Sequence, residues 1–175
     1  MQKDIDIIIY GATGFTGQLC VKYFQSLNTY VKWAIAGRDQ DKLQKVATDN
    51  SVDVEILIAD SDDEVALDIL TSRAKVILST TGPFHRYGSK LVASCVKNSA
   101  NYVDITGENF WVKGLIAKHH EEASAKGIRI IPSCGYDSIP SDLGVFYSAK
   151  ALNKPIKRIE SFHSWEGGAS GGTLE

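Results

Sequence analysis

A chain of 175 residues is long enough for one domain with a full hydrophobic core and short for two, and 43% apolar with 23% charged residues is ordinary globular composition. The formal net charge of −2 gives no electrostatic basis for nucleic acid as a partner. No run approaches the roughly 20 apolar residues of a membrane span, and three cysteines without a Cys-x-x-Cys pair favour a reducing compartment and no metal site.

Apolar runs of strand length recur at residues 5–10 (IDIIIY), 31–36 (VKWAIA), 54–59 (VEILIA), 76–80 (VILST), 102–106 (YVDIT) and 128–133 (IRIIPS). The first begins so close to Met1 that no cleavable leader is expected, and the reading is cytoplasmic. Nearly continuous hydrophobicity marks strands buried on both faces, as in a parallel sheet. Between the runs the spacing is helical. Leu19, Tyr23, Phe24 and Leu27 follow the first strand, and Leu43, Val46 and Ala47 the second. The stretch 109–126 has a polar second half, where His119 and His120 are expected on a solvated face, and it stops at Gly127. Strand and helix alternate throughout, so the expected fold is α/β, a doubly wound parallel sheet of the Rossmann kind over residues 1–150. Past that point Asn153, Lys154 and Pro155 break a helix, 157–165 reads as one more strand, and the glycine-rich 167–173 cannot build a core. Residues 151–175 are therefore expected to begin a second domain of a longer protein.

The loop Gly11-Ala12-Thr13-Gly14-Phe15-Thr16-Gly17 falls between the first strand and the first helix, where a dinucleotide fold needs it. Gly11 suits a tight turn, Gly14 a close approach of backbone N–H groups to a pyrophosphate, and Gly17 tight packing of helix on strand. The spacing G-x-x-G-x-x-G departs from the usual G-x-G-x-x-G, so a ligand-free turn is the plain alternative, and context has to decide. The second strand ends in Ala36-Gly37-Arg38-Asp39. Arg38 stands where an NAD site places an acid on the ribose 2′-hydroxyl, and a guanidinium suits the 2′-phosphate of NADP. Asp39 keeps NAD open, but its expected job is to cap the following helix. The favoured cofactor is NADP (NADPH).

In such a sheet the ligand lies across the carboxyl ends of the strands. Asp60, after the third, is a candidate for the adenine amino group, and the turn Thr81-Gly82-Pro83-Phe84, after the fourth, for the nicotinamide half. The fifth is followed by Asp104, Thr106, Gly107 and Glu108, and the sixth by Ser133 to Asp142. Ser141 or Asp142 is expected to cap a helix. Asp137 has no such local task.

With these loops in view, the chain resembles the N-terminal NADP-binding domain of the saccharopine dehydrogenase-like oxidoreductases, a group that includes the trans-acting enoyl reductases. The likeness rests on residues 11–17 (GATGFTG), 36–38 (AGR), 81–95 (TGPFHRYGSKLVASC), 102–108 (YVDITGE), 134–144 (CGYDSIPSDLG) and 167–173 (GGASGGT). It implies that Gly11, Thr13, Gly14, Phe15, Thr16, Gly17 and Arg38 bind the nucleotide and that Thr81 to Phe84 border the nicotinamide. It also implies hydride transfer between NADPH and an imine, carbonyl or enoyl group of a small-molecule substrate, and a second domain that shapes the substrate site of a homodimer. No catalytic residue comes with it, and Tyr87 and Asp137, each on a strand-end loop, are the candidates for the proton role.

Three rivals frame this reading. A short-chain dehydrogenase needs Tyr-x-x-x-Lys, and no tyrosine here has a lysine four residues on. A semialdehyde-type acyl reductase would use Cys134 as nucleophile, but His85, His119, His120 and His163 have no sequence link to it, so an inert cysteine is expected. A non-enzymatic redox sensor that binds NADP has the same cofactor loop, and only consumption of NADPH separates it.

Overall fold

The computed structural model describes residues 3–27, 30–152, 154–164 and 166. Ile5, Ile8 and Ile9 lose all contact with solvent because β1 (Ile5–Tyr10) runs through the middle of a sheet. β2 (Trp33–Gly37) and β3 (Glu55–Ile58) lie to one side of it, and β4 (Ala74–Ser79), β5 (Asn101–Asp104) and β6 (Ile130–Ile131) to the other. The order is β3-β2-β1-β4-β5-β6, with every pairing parallel. Six helices connect or follow the strands: α1 (Phe15–Ser26), α2 (Gln40–Asp49), α3 (Glu64–Arg73), α4 (Phe84–Lys97), α5 (Asn109–Ala125) and α6 (Ile139–Leu152).

Alternation along β1 sends Ile8 and Tyr10 to one face and Ile9 to the other, and two cores result. Ile9 and Ile35 meet Val21 of α1 and Leu43, Val46 and Ala47 of α2. Ile8 and Ile77 meet Leu67 and Leu70 of α3, Leu91 and Val92 of α4, and Trp111 and Leu115 of α5. This is the expected doubly wound arrangement. Asp39 caps α2 as expected, its carboxylate accepting the Lys42 N–H at 3.0 Å. At the amino ends of the strands, Arg73 closes α3 and grips Asp4 at 2.6 and 3.1 Å and Glu55 at 2.6 and 2.9 Å, two bidentate pairs that join the starts of β1 and β3.

Several local expectations are corrected. β3 is an edge strand with Glu55 and Ile58 exposed, so its apolar run is buried on neither end. β6 shrinks from the six residues expected to two, because Pro132 has no N–H for the ladder and Ser133 turns to a φ of +62°. On α1 the buried residues are Gly17 and Val21, with Cys20 and Phe24 beside them, while Leu19, Tyr23 and Leu27 face out. The reason is steric: a Cβ at Gly17 would lie 2.2 Å from the Gly11 carbonyl oxygen, so this face alone can touch β1. On α5 the buried row Trp111, Leu115, His119, Ala123 repeats every four residues, which places His119 inside and only His120 outside. α6 opens at Ile139, so Ser141 and Asp142 sit within its first turn and are not its cap. The strand expected at 157–165 is absent among the described residues 157–164, which are exposed and have no neighbouring strand to pair with. Trp165 and the glycine run 167–173 lie outside the described residues.

Two alanine substitutions test the packing of α4 against α5. A Cβ at Gly88 would meet Trp111 Cζ2 at 2.6 Å, whereas one at Gly114 meets nothing within 4 Å. Gly88→Ala is expected to lower unfolding free energy by about 1–3 kcal/mol in urea titrations, and Gly114→Ala to raise it by up to about 1 kcal/mol.

Candidate functional site

Because all six strands are parallel, their carboxyl ends share one edge, and the connections diverge between β1 and β4. A ligand crevice belongs at such a switch point. A cleft of about 350 Å³ lies there, with Gly11, Thr13 and Gly14 on its floor, Gly37, Arg38 and Ser61 at one end, and Thr80, Thr81, Gly82 and Tyr87 at the other. Gly11 adopts φ +87°, which disfavours any side chain, and its N–H is tied to Ala36 O at 2.9 Å. A Cβ on Gly11 would stand 2.3 Å from Thr81 Oγ1, and that buried hydroxyl has no hydrogen-bond partner among the described residues. Gly14 precedes α1 without a side-chain cap, and no acidic residue occupies the first turn. The N–H groups of Phe15, Thr16 and Gly17 thus open toward the cleft with the positive end of the helix dipole.

Of the residues the sequence singles out, the cleft brings together Gly11, Thr13, Gly14, Arg38, Thr81, Gly82 and Tyr87. Phe15 and Thr16 offer main-chain donors, the Phe15 ring being exposed, and Gly17 lies beneath, packed on Gly11. Pro83 and Phe84 are buried behind the turn, with Phe84 tilted on Trp111 at 5.9 Å between centroids. Asp60 accepts the Asp62 N–H at 2.9 Å and so shapes its own loop. Asp137 is exposed on the β6–α6 loop, outside the cleft lining. Four lining residues were missed: Tyr10, Gly37, Ser61 and Thr80. Each ends or follows a strand, which is the signal that would have found them. Tyr10 also bonds Ala59 O at 3.2 Å across β2, and burial pushes its phenol far up.

Beyond Tyr87, the loops after β5 and β6 are bound to one another through Asp104. Its Oδ1 accepts N–H bonds from Thr106 at 3.0 Å and Ser133 at 2.9 Å, and its carbonyl accepts the Cys134 N–H at 2.7 Å. Ser133 Oγ donates to Thr106 O at 2.8 Å. Burial raises the Asp104 carboxyl above its ordinary range, more than those N–H bonds lower it. Glu108 carries a second link: it accepts the N–H groups of Phe84 at 2.7 Å and His85 at 2.9 Å, and lies 2.7 Å from His85 Nδ1. Burial pushes Glu108 up, but these bonds together bring it below the usual carboxylate value. Cys134 is half-buried, and burial with the nearby Asp104 charge pushes its thiol up, away from the thiolate a nucleophile needs.

Residues 7–131 match the family described as saccharopine dehydrogenase NADP binding domain. The chain belongs to that family. The trans-acting enoyl reductase of Mycobacterium leprae is 39% identical over 148 residues, covering 83% of this chain and 35% of that protein. The saccharopine dehydrogenase-like oxidoreductase of Mus musculus is 34% identical, covering 97% and 43%, and the lipid droplet localized protein of Caenorhabditis elegans is 34% identical, covering 95% and 41%. The chain thus spans well under half the length of these curated relatives. Among solved structures, apo saccharopine dehydrogenase (L-Glu forming) of Saccharomyces cerevisiae superposes with TM-score 0.69 at 17% identity, over 85% of this chain and 31% of that one, and so shares the fold.

A saccharopine dehydrogenase NADP-binding domain holds NADP, and the parts fit. The cradle at Gly11 has no room for a side chain, the Thr81 hydroxyl is unsatisfied, and Arg38 is exposed on the cleft without a salt bridge among the described residues. The residues present would hold the pyrophosphate on the α1 N-terminus and the 2′-phosphate at Arg38.

The buried Asp104 gives a pH test. A carboxyl raised on folding holds more protons in the native state than in the unfolded chain, so its contribution to stability is intact below the unfolded value near 3.9 and declines as pH rises through the folded one. Asp104→Asn keeps an oxygen for Thr106 and Ser133 and removes the titration. The stability of the variant relative to the wild type, measured by urea unfolding, is expected to shift in favour of the variant between acid and neutral pH.

Proposed function

We propose that the protein is an NADP-dependent oxidoreductase that transfers hydride between NADPH and an imine, carbonyl or enoyl group of a small molecule. The observation that carries the cofactor choice is Arg38 at the end of β2, facing the cleft where an NAD site would present a carboxylate. The names of the relatives, an enoyl reductase and an oxidoreductase, support the reaction class. NADPH, when bound, supplies the hydride. The chain's own residues bind and orient: the α1 N-terminus takes the pyrophosphate, Arg38 with Ser61 takes the phosphorylated ribose, and the Thr81–Gly82 turn supports the nicotinamide. We place Tyr87, on the cleft wall, and Asp137, on the β6–α6 loop, against the substrate. Residues 151–175 begin a second domain that completes the substrate site, and the full-length protein is a cytoplasmic homodimer. Among the described residues no helix is long and apolar enough to cross a membrane.

Titration of the full-length protein with NADPH and NADH tests this reading. NADPH is expected to bind more tightly, and Arg38→Ala to weaken NADPH by about 10- to 100-fold while leaving NADH unchanged. Equal affinities in the wild type remove Arg38 from its role. Oxidation of NADPH with a cyclic imine, an aldehyde or an enoyl thioester separates an enzyme from a sensor, which binds without consuming.

A further inference from the structure

Tyr10 ends β1, lines the cleft and is only 3% exposed. It stands opposite Ala36 where β1 pairs with β2, and Ala36 stands opposite Leu57 where β2 pairs with β3. All three side chains join the core on the α3, α4 and α5 face of the sheet. Because Ala36 carries only a methyl group, the Tyr10 side chain reaches across β2, and its hydroxyl donates to Ala59 O at 3.2 Å. A buried phenol needs such an acceptor, and a buried carbonyl such a donor. The Ala59 N–H is tied to Gly37 O at 3.0 Å, so the residue that follows β3 is held from β1 and from β2 at once. From there the chain turns sharply: Asp60 Oδ1 accepts the Asp62 N–H at 2.9 Å, and Asp60 O accepts the Asp63 N–H at 3.1 Å. Ser61 is the residue of that turn that lines the cleft, at the same end as Arg38. Arg38 and Asp60 both stand near enough to the phenol to act on it by charge, the carboxylate pushing it up and the guanidinium drawing it down.

We propose that Tyr10 is a positioning residue for NADP: through Ala59 it sets the turn that presents Ser61, beside Arg38, to the 2′-phosphate. This rests on the reading that NADP occupies the cleft. Arg38 supplies charge and a fork of donors, and the Ser61 hydroxyl supplies one further hydrogen bond whose direction the backbone of the turn decides. That backbone needs an outside hold, because β3 is a four-residue strand at the edge of the sheet. It also carries Asp60, Asp62 and Asp63, each of which would repel a phosphate if it swung into the cleft. All three carboxylates are engaged elsewhere. Asp60 closes its own turn, Lys90 of α4 holds Asp62 at 3.0 Å, and Asp63 caps α3 by accepting the Val65 and Ala66 N–H groups at 3.0 Å each. With Tyr10 fixing the residue before the turn, a hydroxyl and not a carboxylate faces the ligand.

Binding to the full-length protein, with NADPH, NADH, adenosine 2′,5′-bisphosphate and 5′-AMP as probes, tests the assignment. Tyr10→Phe removes one oxygen and keeps the ring. It is expected to weaken NADPH and adenosine 2′,5′-bisphosphate about 3- to 10-fold and to change NADH and 5′-AMP by less than about twofold. Ser61→Ala, which leaves the core untouched, is expected to weaken NADPH by the same factor. The double variant is expected to bind NADPH no more weakly than either single one, because Tyr10 acts through Ser61. A Tyr10→Phe loss shared equally by NADPH and NADH marks a tyrosine that serves the fold alone, and it overturns the positioning role. Unchanged NADPH affinity in either single variant, or single effects that multiply in the double variant, overturns it as well. Each of these leaves the cofactor reading standing so long as the wild type prefers NADPH. A wild type that binds NADH as tightly as NADPH overturns both.

Discussion

The contact between Gly17 and Gly11 fixes where everything else lies. With a hydrogen in place of a side chain, the first turn of α1 rests on the Gly11 carbonyl, so the helix leaves β1 at one angle and with one face inward. That angle points its unpaired N–H groups across the carboxyl edge of the sheet, and it commits Val21 and Phe24 to the core shared with α2. The ligand cradle and the packing of one whole face of the sheet therefore follow from the same missing methyl group.

Much of the fold was legible because parallel strands carry uninterrupted apolar runs, and all six strands stand where those runs fall. What stayed hidden depended on a third dimension. The apolar spacing of α1 allowed two faces, and only the Gly17 contact chose between them. His119 reads as polar in a polar stretch, yet its position four residues after Leu115 puts it on the buried row of α5. β6 has the hydrophobicity of a central strand but ends after two residues at Pro132.

The same division holds for the site. Gly11, Gly14, Arg38 and Thr81 were recoverable because each sits at the end of a strand, and strand ends converge whatever the rest of the chain does. Glu108 was named only as one of the residues after the fifth strand, and its task was not legible, because its partners are 23 and 24 residues away and belong to a different helix. Its place directly before α5 gives no sign of a partner in another helix. In the folded protein it makes no side-chain cap there and serves α4 instead. Asp104, likewise named only as following the fifth strand, is buried between two loops that it binds together.

The two pairs that Arg73 makes with Asp4 and Glu55 lie at the amino ends of the strands, a full strand length from the cleft, about 15–20 Å. The hydrogen bonds from Arg73 hold both carboxyls below their usual range, so acid undoes this clasp from underneath. The sheet is thus clasped by charge at its amino edge, like a fan at its handle, while the edge where the cleft lies is tied by the Gly11–Gly17 contact and the hydrogen bonds of Asp104. Ionic bracing and the cleft occupy opposite ends of the same strands, so acid that loosens the Arg73 clasp acts first at the edge away from the ligand.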